Sequence, residues 1–195
     1  MESTFILPDR LTSRQRQLVD ELVDLFLAEG FARLTLDEVA ARLGCSKRTL
    51  YALADSKEQL AVRAVRFFFK RSTDQVESAI ARTRSPARKV TRYLEAVAEA
   101  LRPAGEGFRR DLAETAATRE VYEQNAAAAA VRVRQLIDEG IQAGAFRHVS
   151  AALVGEVVTA TMRRITSGEI GRATGLDDAQ AYAELARLVV AAVRR

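Results

Sequence analysis

The segment FARLTLDEVAARLGCSKRTLYALADSKEQL, residues 31–60, encodes a short helix, a tight turn and a second short helix. Thr35 and Glu38 have the spacing of a capping box, in which each side chain bonds to the other residue's backbone amide. A helix is therefore expected to begin after Thr35, and its apolar positions last barely two turns. Gly44 follows, and because glycine adopts the left-handed conformation that a sharp turn requires, we expect the turn at this point.

A second helix is predicted over Lys47 to Leu53, with Ser46 as its N-cap and Leu50 as its main buried anchor. Two short helices joined by such a turn, behind a longer supporting helix, are typical of the helix-turn-helix arrangement. In that arrangement the second helix enters the major groove of DNA while the first crosses the phosphate backbone. The pattern leaves the following residues facing outward: Lys47, Arg48, Thr49 and Ala52.

The rest of the chain is typical of an all-α protein of about nine helices, since alanine is abundant and helix breakers are scarce. Thr12 and Gln15 form another capping box ahead of a first helix over Ser13 to Glu29, which Gly30 is expected to stop in the left-handed conformation. Helix four is predicted from Lys57 to about Arg82. Later helices are predicted over 85–103, 108–115, 118–140, 150–167 and 177–194, with a loop over 168–176.

Positive charge is concentrated around the predicted turn. Residues 42–71 hold eight basic side chains and two acidic ones, an excess larger than the net charge of +4 of the whole chain. A basic segment taken alone is usually a solvated face. Combined with helix-turn-helix spacing, it indicates a surface for an anionic partner such as DNA.

Residues 31–60 resemble the TetR family of bacterial transcriptional regulators. The matching features are an aromatic residue, a threonine-opened helix, a glycine turn, a serine-started helix ending in Thr-Leu-Tyr, and then Ser-Lys-Glu-x-Leu. The resemblance implies a DNA-binding domain over residues 1–56 and an effector-binding and dimerisation domain over 57–195, with helix four shared by both. It also implies a homodimeric repressor of a pseudo-palindromic operator, released by a small apolar or amphipathic effector.

The family pattern places base-reading positions at Lys47 and Arg48, and the forked guanidinium of Arg48 suits guanine best. Phosphate-contacting positions, which orient the domain without reading sequence, fall at Thr35, Thr49, Tyr51 and Lys57. The full DNA-binding set implied is Thr35, Ser46, Lys47, Arg48, Thr49, Tyr51, Ala52 and Lys57. Family members commonly have His-Phe where this chain has Leu53-Ala54, so Leu53 is a candidate to turn into the core.

Two further sets of residues follow from the expected C-terminal domain. Candidate effector-binding residues, each with core packing as the competing interpretation, are Phe67, Phe68, Tyr93, Phe108, Tyr122 and Met162. One short recognition helix contacts few base pairs and gives limited sequence specificity. A two-fold dimer that reads a pseudo-palindrome would gain specificity by adding a second half-site. The last two long helices are predicted to pair with their copies, helped by small residues such as Gly155. The candidate interface residues are Leu153, Val157, Thr161, Leu185, Leu188 and Ala192.

The chain has few of the residues that catalysis or metal binding usually needs, with one cysteine and one histidine. Cys45 cannot form an intrachain disulfide, and it is interpreted as a small residue packed under the turn, with a low-pKa redox sensor as the alternative. His148, the single histidine, is expected in an exposed loop with no metal or catalytic partner. We therefore expect no enzyme activity, no cofactor and no metal.

Residues 1–8 lack a signal segment, and we expect a cytoplasmic protein. The alternatives left open are an architectural DNA binder and an all-α enzyme.

Overall fold

The computed structural model describes residues 11–195, so the predicted lack of a signal segment in residues 1–8 lies outside the described residues. This part of the chain forms ten helices and no strands, in agreement with the predicted all-α class. The helices are α1 (Ser13–Glu29), α2 (Leu36–Arg42), α3 (Lys47–Tyr51), α4 (Lys57–Ile80), α5 (Pro86–Leu101), α6 (Glu106–Glu114), α7 (Ala116–Gln142), α8 (Ala151–Thr166), α9 (Glu169–Thr174) and α10 (Asp178–Val193). None of the described helices combines the length and hydropathy needed to span a bilayer.

The chain divides into two compact units that do not follow the predicted boundary at residue 56. The first unit contains residues up to Lys70 together with 103–122, and the second contains 71–102 and 123–195. The first unit reaches beyond residue 56 because α4 contributes buried residues such as Leu60 and Val65 to its core. The functional division at residues 56 and 57 stays a prediction.

The starts of α1 and α2 follow the predicted capping chemistry. In α1 the Thr12 side chain accepts from the Gln15 amide, and Gln15 accepts from the Thr12 amide at 3.0 Å. The same reciprocal pair joins Thr35 and Glu38 at α2. Each box satisfies amides that a helix start leaves without partners, so local sequence alone fixes where these helices begin.

The end of α1 differs from its prediction. Gly30 has a positive φ of 81°, but its ψ of 179° lies outside the left-handed helical region that is expected from the sequence. The chain after Gly30 is held by a distant contact, because the amides of Phe31 and Ala32 donate to Oδ2 of Asp111 in α6. A Cβ at Gly30 would lie 2.6 Å from the same oxygen. The extended exit from α1 brings the following amides to this carboxylate.

Asp111 is the buried polar centre of the first unit. Its Oδ2 accepts hydrogen bonds from the amides of Phe31 at 2.6 Å and Ala32 at 2.8 Å, although 79 or more positions separate them in sequence. The Gly105 amide adds a bond to the Leu27 carbonyl at 2.9 Å. These bonds fix the segment between α1 and α2 against α6, next to an aromatic cluster formed by Phe26, Phe31, Phe68, Phe69 and Phe108.

The second unit is a helical bundle in which α5 packs along α10 and α10 contacts α8. Gly155 of α8 is buried, and a Cβ there would lie 2.7 Å from the Ala130 carbonyl oxygen of α7. The prediction that Gly155 permits close approach between two chains is therefore wrong. Its missing side chain instead allows α8 to approach α7 within one chain.

Two helix predictions need correction. Residues 168–176, predicted as a loop, contain α9, so the described residues hold ten helices where about nine were expected. Gly168 and Gly175 bracket α9 in left-handed conformations and permit a helix of six residues between them. The other correction is that α3 ends at Tyr51 and not at Leu53, because Leu53 turns into the core and is only 5% exposed.

We predict that Asp111→Ala destabilises the protein by roughly 2–4 kcal/mol, since two amides next to the core would lose a charged acceptor. Denaturant unfolding followed by circular dichroism measures the change in the free energy of unfolding. Asp55→Ala, which removes an exposed carboxylate from the same unit, is the matched control and should change stability by less than about 0.5 kcal/mol. Equal stability of the two variants would show that the Asp111 bonds contribute nothing.

Candidate nucleic-acid interface

The turn between α2 and α3 is held by its own backbone. Gly44 has a φ of 59°, and the Cys45 amide donates to the Ala40 carbonyl at 2.9 Å. Nothing lies within 4 Å of the position that a Cβ on Gly44 would occupy. Glycine is therefore favoured here by backbone conformation and not by lack of space, as the sequence predicts.

The second helix of the pair, α3, consists of only five residues. The Ser46 hydroxyl oxygen accepts from the Thr49 amide at 3.2 Å and lies 2.9 Å from the Thr49 hydroxyl. Leu50 is 1% exposed and anchors the helix to the core of the first unit. Helices of this length are not stable alone in water, so the cap and this one buried side chain hold α3 in place.

The residues predicted to face outward from α3 differ in exposure. Lys47 and Arg48 are exposed, Tyr51 is 50% exposed, and Thr49 is half-buried beside the cap. Ala52 is also exposed but lies in the turn after the helix. The structure thus brings the cationic side chains and Tyr51 together on one solvent-facing surface.

The two basic residues at the start of α3 have different surroundings. Nζ of Lys47 lies 2.7 Å from Oδ2 of Asp37 in α2, and this hydrogen-bonded ion pair raises the pKa of Lys47. Within residues 11–195, no carboxylate lies within ion-pair distance of Arg48. Arg48 is therefore the guanidinium that can engage an incoming anion without first leaving an intramolecular partner.

The predicted phosphate-contacting positions at the edges of the site already make intramolecular bonds. The Thr35 hydroxyl donates to Glu38 at 2.8 Å, and the hydrogen bonds from Thr35 lower the pKa of the Glu38 carboxyl. Nζ of Lys57, at the start of α4, donates to the Ala32 carbonyl at 2.6 Å. A lysine ammonium has three donors, so this bond leaves two for another acceptor.

A surface cleft of about 560 Å³, which no sequence pattern predicted, lies beside the end of α3. Its walls include Tyr51 and Ala52 on one side and Arg63 and Arg66 of α4 on another. Arg63 also donates to the Leu53 carbonyl, and burial lowers the pKa of its guanidinium. The spacing of the two arginines along α4 is the sequence signal that could have placed them on one face.

The surroundings of Cys45 are opposite to those of a reactive thiol. Partial burial and the negative charge of Glu21 raise the pKa of Cys45, whereas a redox sensor needs a lowered one. His148 is exposed in the connection between α7 and α8, where the sequence places it. The described residues contain no group of three or more His, Cys, Asp or Glu side chains suited to a metal.

The predicted effector-binding residues are divided between the two compact units. In the first unit, Phe68 and Phe108 stack edge to face with ring centroids 5.6 Å apart, and both are buried. Phe67 and Tyr122 of the same unit are half-buried. Tyr93 and Met162 belong to the buried core of the second unit, and burial is the main cause that raises the pKa of Tyr93 to about 12. Core packing accounts for the four buried residues: Phe68, Phe108, Tyr93 and Met162.

The predicted interface residues divide by exposure. Leu153, Val157 and Leu188 are 63%, 55% and 67% exposed, and Ala192 is also exposed. Thr161 is half-buried, and its hydroxyl donates to the Val157 carbonyl. The prediction that Leu185 lies in the interface is wrong, because this side chain packs into the core of its own bundle and is only 7% exposed. Exposed leucines and valines on α8 and α10 are surfaces that a partner helix could cover.

Comparisons with known proteins agree with this architecture. Residues 18–64 match the family model described as "Bacterial regulatory proteins, tetR family". A putative transcriptional regulator from Saccharomonospora viridis in complex with choline is similar in structure, with a TM-score of 0.78 and 14% identity over 95% of this chain and 100% of that one.

Two more solved structures extend the comparison. The TetR family transcriptional regulator PfmR from Thermus thermophilus has a TM-score of 0.65 and 21% identity, covering 90% of this chain and 97% of that one. The SmeT–triclosan complex has a TM-score of 0.71 and 16% identity, covering 94% of this chain and 93% of that one. At these identities the structural likeness shows the fold alone. A search of curated protein sequences finds no match.

Proposed function

Because residues 18–64 match the family model of bacterial regulatory proteins of the tetR family, we propose that the chain is a homodimeric repressor that binds a pseudo-palindromic operator and is released by a small molecule. Members of this family are transcriptional regulators and not enzymes. The observation that carries the proposal is the exposed cationic face of α3, held rigidly by the turn at Gly44 and by the buried Leu50.

In this proposal Arg48 reads base edges and Lys47 assists it. Arg48 has no carboxylate partner among residues 11–195, so its fork can approach guanine O6 and N7 directly. Lys47 must exchange Asp37 for DNA, which reduces its net contribution to affinity. The surrounding positions that would fix the orientation of α3, through the phosphate backbone and close contact, are Ser46, Thr49, Tyr51, Ala52, Thr35 and Lys57.

A dimer is supported by both energetics and surface chemistry. Five helical residues contact few base pairs, and a two-fold pair of recognition helices adds a second half-site. The exposed Leu153, Val157 and Leu188 supply apolar surface on the two helices that would meet their copies. The same surface would be costly to leave in water on a stable monomer.

Release by an effector is supported by the ligands in similar structures, which are choline in one and triclosan in another. A ligand changes operator affinity only if it binds one conformational state more tightly than the other. Helix α4 carries residues of both compact units, so a shift in this helix is the proposed link between effector and α3. Phe67 and Tyr122, the half-buried members of the predicted set, are the residues proposed to contact the effector.

We predict that Arg48→Ala weakens binding to the preferred duplex by at least about a hundredfold, because each of the two copies in the dimer would lose a base contact of about 1–3 kcal/mol. The duplex is first selected from a random library, and fluorescence anisotropy at fixed salt then gives the affinity. Arg102→Ala removes an equal, exposed charge outside α3 and should leave affinity within about twofold.

Selectivity separates a regulator from an architectural DNA binder. The repressor proposal requires the parent protein to prefer its selected duplex over unrelated DNA, and Arg48→Ala to reduce that preference. An architectural binder would show steep salt dependence with little preference between duplexes. Equal affinity of the parent for both duplexes would overturn the proposal of sequence-specific control.

We predict that Leu188→Glu converts the protein to a monomer at micromolar concentration, because a carboxylate would be buried in an apolar interface. Sedimentation equilibrium measures the mass, and circular dichroism checks that the helices remain. Val131→Glu is the matched control, since Val131 is a comparably exposed apolar residue of α7 outside the predicted interface. A dimeric Leu188→Glu variant would place the interface elsewhere.

A further inference from the structure

The second unit contains a cleft of about 800 Å³ whose chemistry differs from that of a core pocket. It lies where α4 gives way to α5, along the first turns of α5 and beside the C-terminal end of α10. No residue of the first unit lines it. The walls carry five arginines, which are Arg82, Arg84, Arg88, Arg92 and Arg194.

The charge of this arginine cleft is almost uncompensated. Glu95 is the single carboxylate of the lining, and it lies 3.6 Å from Arg92. Arg92 is further paired with Glu99 at 3.1 Å. Among the described residues, no carboxylate lies within ion-pair distance of the other four guanidiniums. Four like charges facing one concave surface repel one another, and a bound anion would relieve that repulsion.

The backbone that carries these arginines is well fixed. The Ser85 hydroxyl caps α5 and Pro86 occupies the first helical position, so the approach to α5 has a defined course. No acidic residue lies in the first turn of α5, and the positive end of its helix dipole therefore adds to the arginine charges. On the opposite wall, a backbone bridge to Phe146 fixes Arg194, whose amide donates to the Val190 carbonyl at 3.0 Å.

We propose that the arginine cleft binds a small, multiply charged anion of the phosphate or carboxylate class. The volume falls within the range of small-molecule sites, about 300–1,000 Å³. Guanidinium forks match the paired oxygens of both phosphates and carboxylates. Thr83 adds a hydroxyl group, while Ala87 and Val190 supply an apolar wall for the carbon skeleton of an organic anion. The Thr91 hydroxyl, also in the lining, donates to the Ala87 carbonyl at 3.2 Å.

This site differs from the apolar effector site of the proposed function in location and in ligand chemistry. Helical segments alone do not reveal it, because Arg194 lies far away from Arg82, Arg84 and Arg88 in sequence. The concentration of arginine in residues 82–88 is the part of the signal that the sequence does contain. The anion site does not require the protein to bind DNA.

Isothermal titration calorimetry on the full-length protein tests the proposal, with tripolyphosphate and citrate as probes at matched ionic strength. We expect saturable binding of at least one probe, and the tighter of the two identifies phosphate or carboxylate as the preferred group. The double variant Arg84→Gln, Arg88→Gln should weaken binding at least about tenfold. The double variant Arg102→Gln, Arg172→Gln, which removes two exposed arginines of the same unit outside the cleft, should bind like the parent.

Each contrary outcome has a clear meaning. Equal weakening in both double variants would show a general effect of charge and overturn the site, as would the absence of saturable binding. A cleft variant that loses affinity for non-specific duplex DNA while no small anion binds would assign the surface to DNA and also overturn the proposal. Arg48→Ala should retain anion binding, so failure of the DNA-binding proposal and failure of the anion site are distinguishable.

Discussion

The anchoring of a five-residue helix is the constraint behind every functional feature of the first unit. Helix α3 has too few internal hydrogen bonds to persist alone. Burial of Leu50, the Ser46 cap and the turn at Gly44 hold it in one orientation. The scaffold around it is fixed in turn by Asp111, which binds the chain just after α1 to α6. A loosely held α3 would lose the fixed geometry that base recognition needs.

Electrostatics gives the residues of this surface different tasks. Arg48 is free of carboxylates in the described part of the chain, whereas Lys47 is held by Asp37 and Lys57 by a backbone carbonyl. An anion approaching α3 therefore meets the guanidinium of Arg48, which has no carboxylate to leave, and the ammonium of Lys47, which is ion-paired with Asp37. Lys57 keeps two donors beside its bond to the Ala32 carbonyl. The arginine cleft of the second unit follows the same logic on a larger scale, with four guanidiniums that lack carboxylate partners among the described residues.

The features that sequence could predict are those fixed by local chemistry. Capping boxes at Thr12 and Thr35 place the starts of α1 and α2, and Gly44 places the turn. Features set by distant contacts could not be read in this way. The backbone at Gly30 depends on Asp111, which lies in α6 and far away in sequence. The departure from the family pattern at Leu53-Ala54 did indicate that Leu53 turns into the core, but the helix end at Tyr51 that accompanies this turn was not predicted.

The candidate sites show the same division. Outward placement of Lys47 and Arg48 follows from helical periodicity around Leu50, and the structure has them there. The Lys47–Asp37 pair joins side chains of two helices, and periodicity within one helix does not predict it. On α8, a single apolar pattern serves two surfaces: Gly155 faces α7 while Leu153 and Val157 face solvent. Hydrophobicity alone does not separate an internal contact from an exposed one.

The proposal that two copies of the chain present α3 to successive major grooves is tested by hydroxyl-radical footprinting on the selected duplex. We expect two protected segments related by a dyad, with centres about one helical turn apart, roughly 34–36 Å, or a multiple of that distance. A single protected segment, or uniform protection with no dyad, would contradict it.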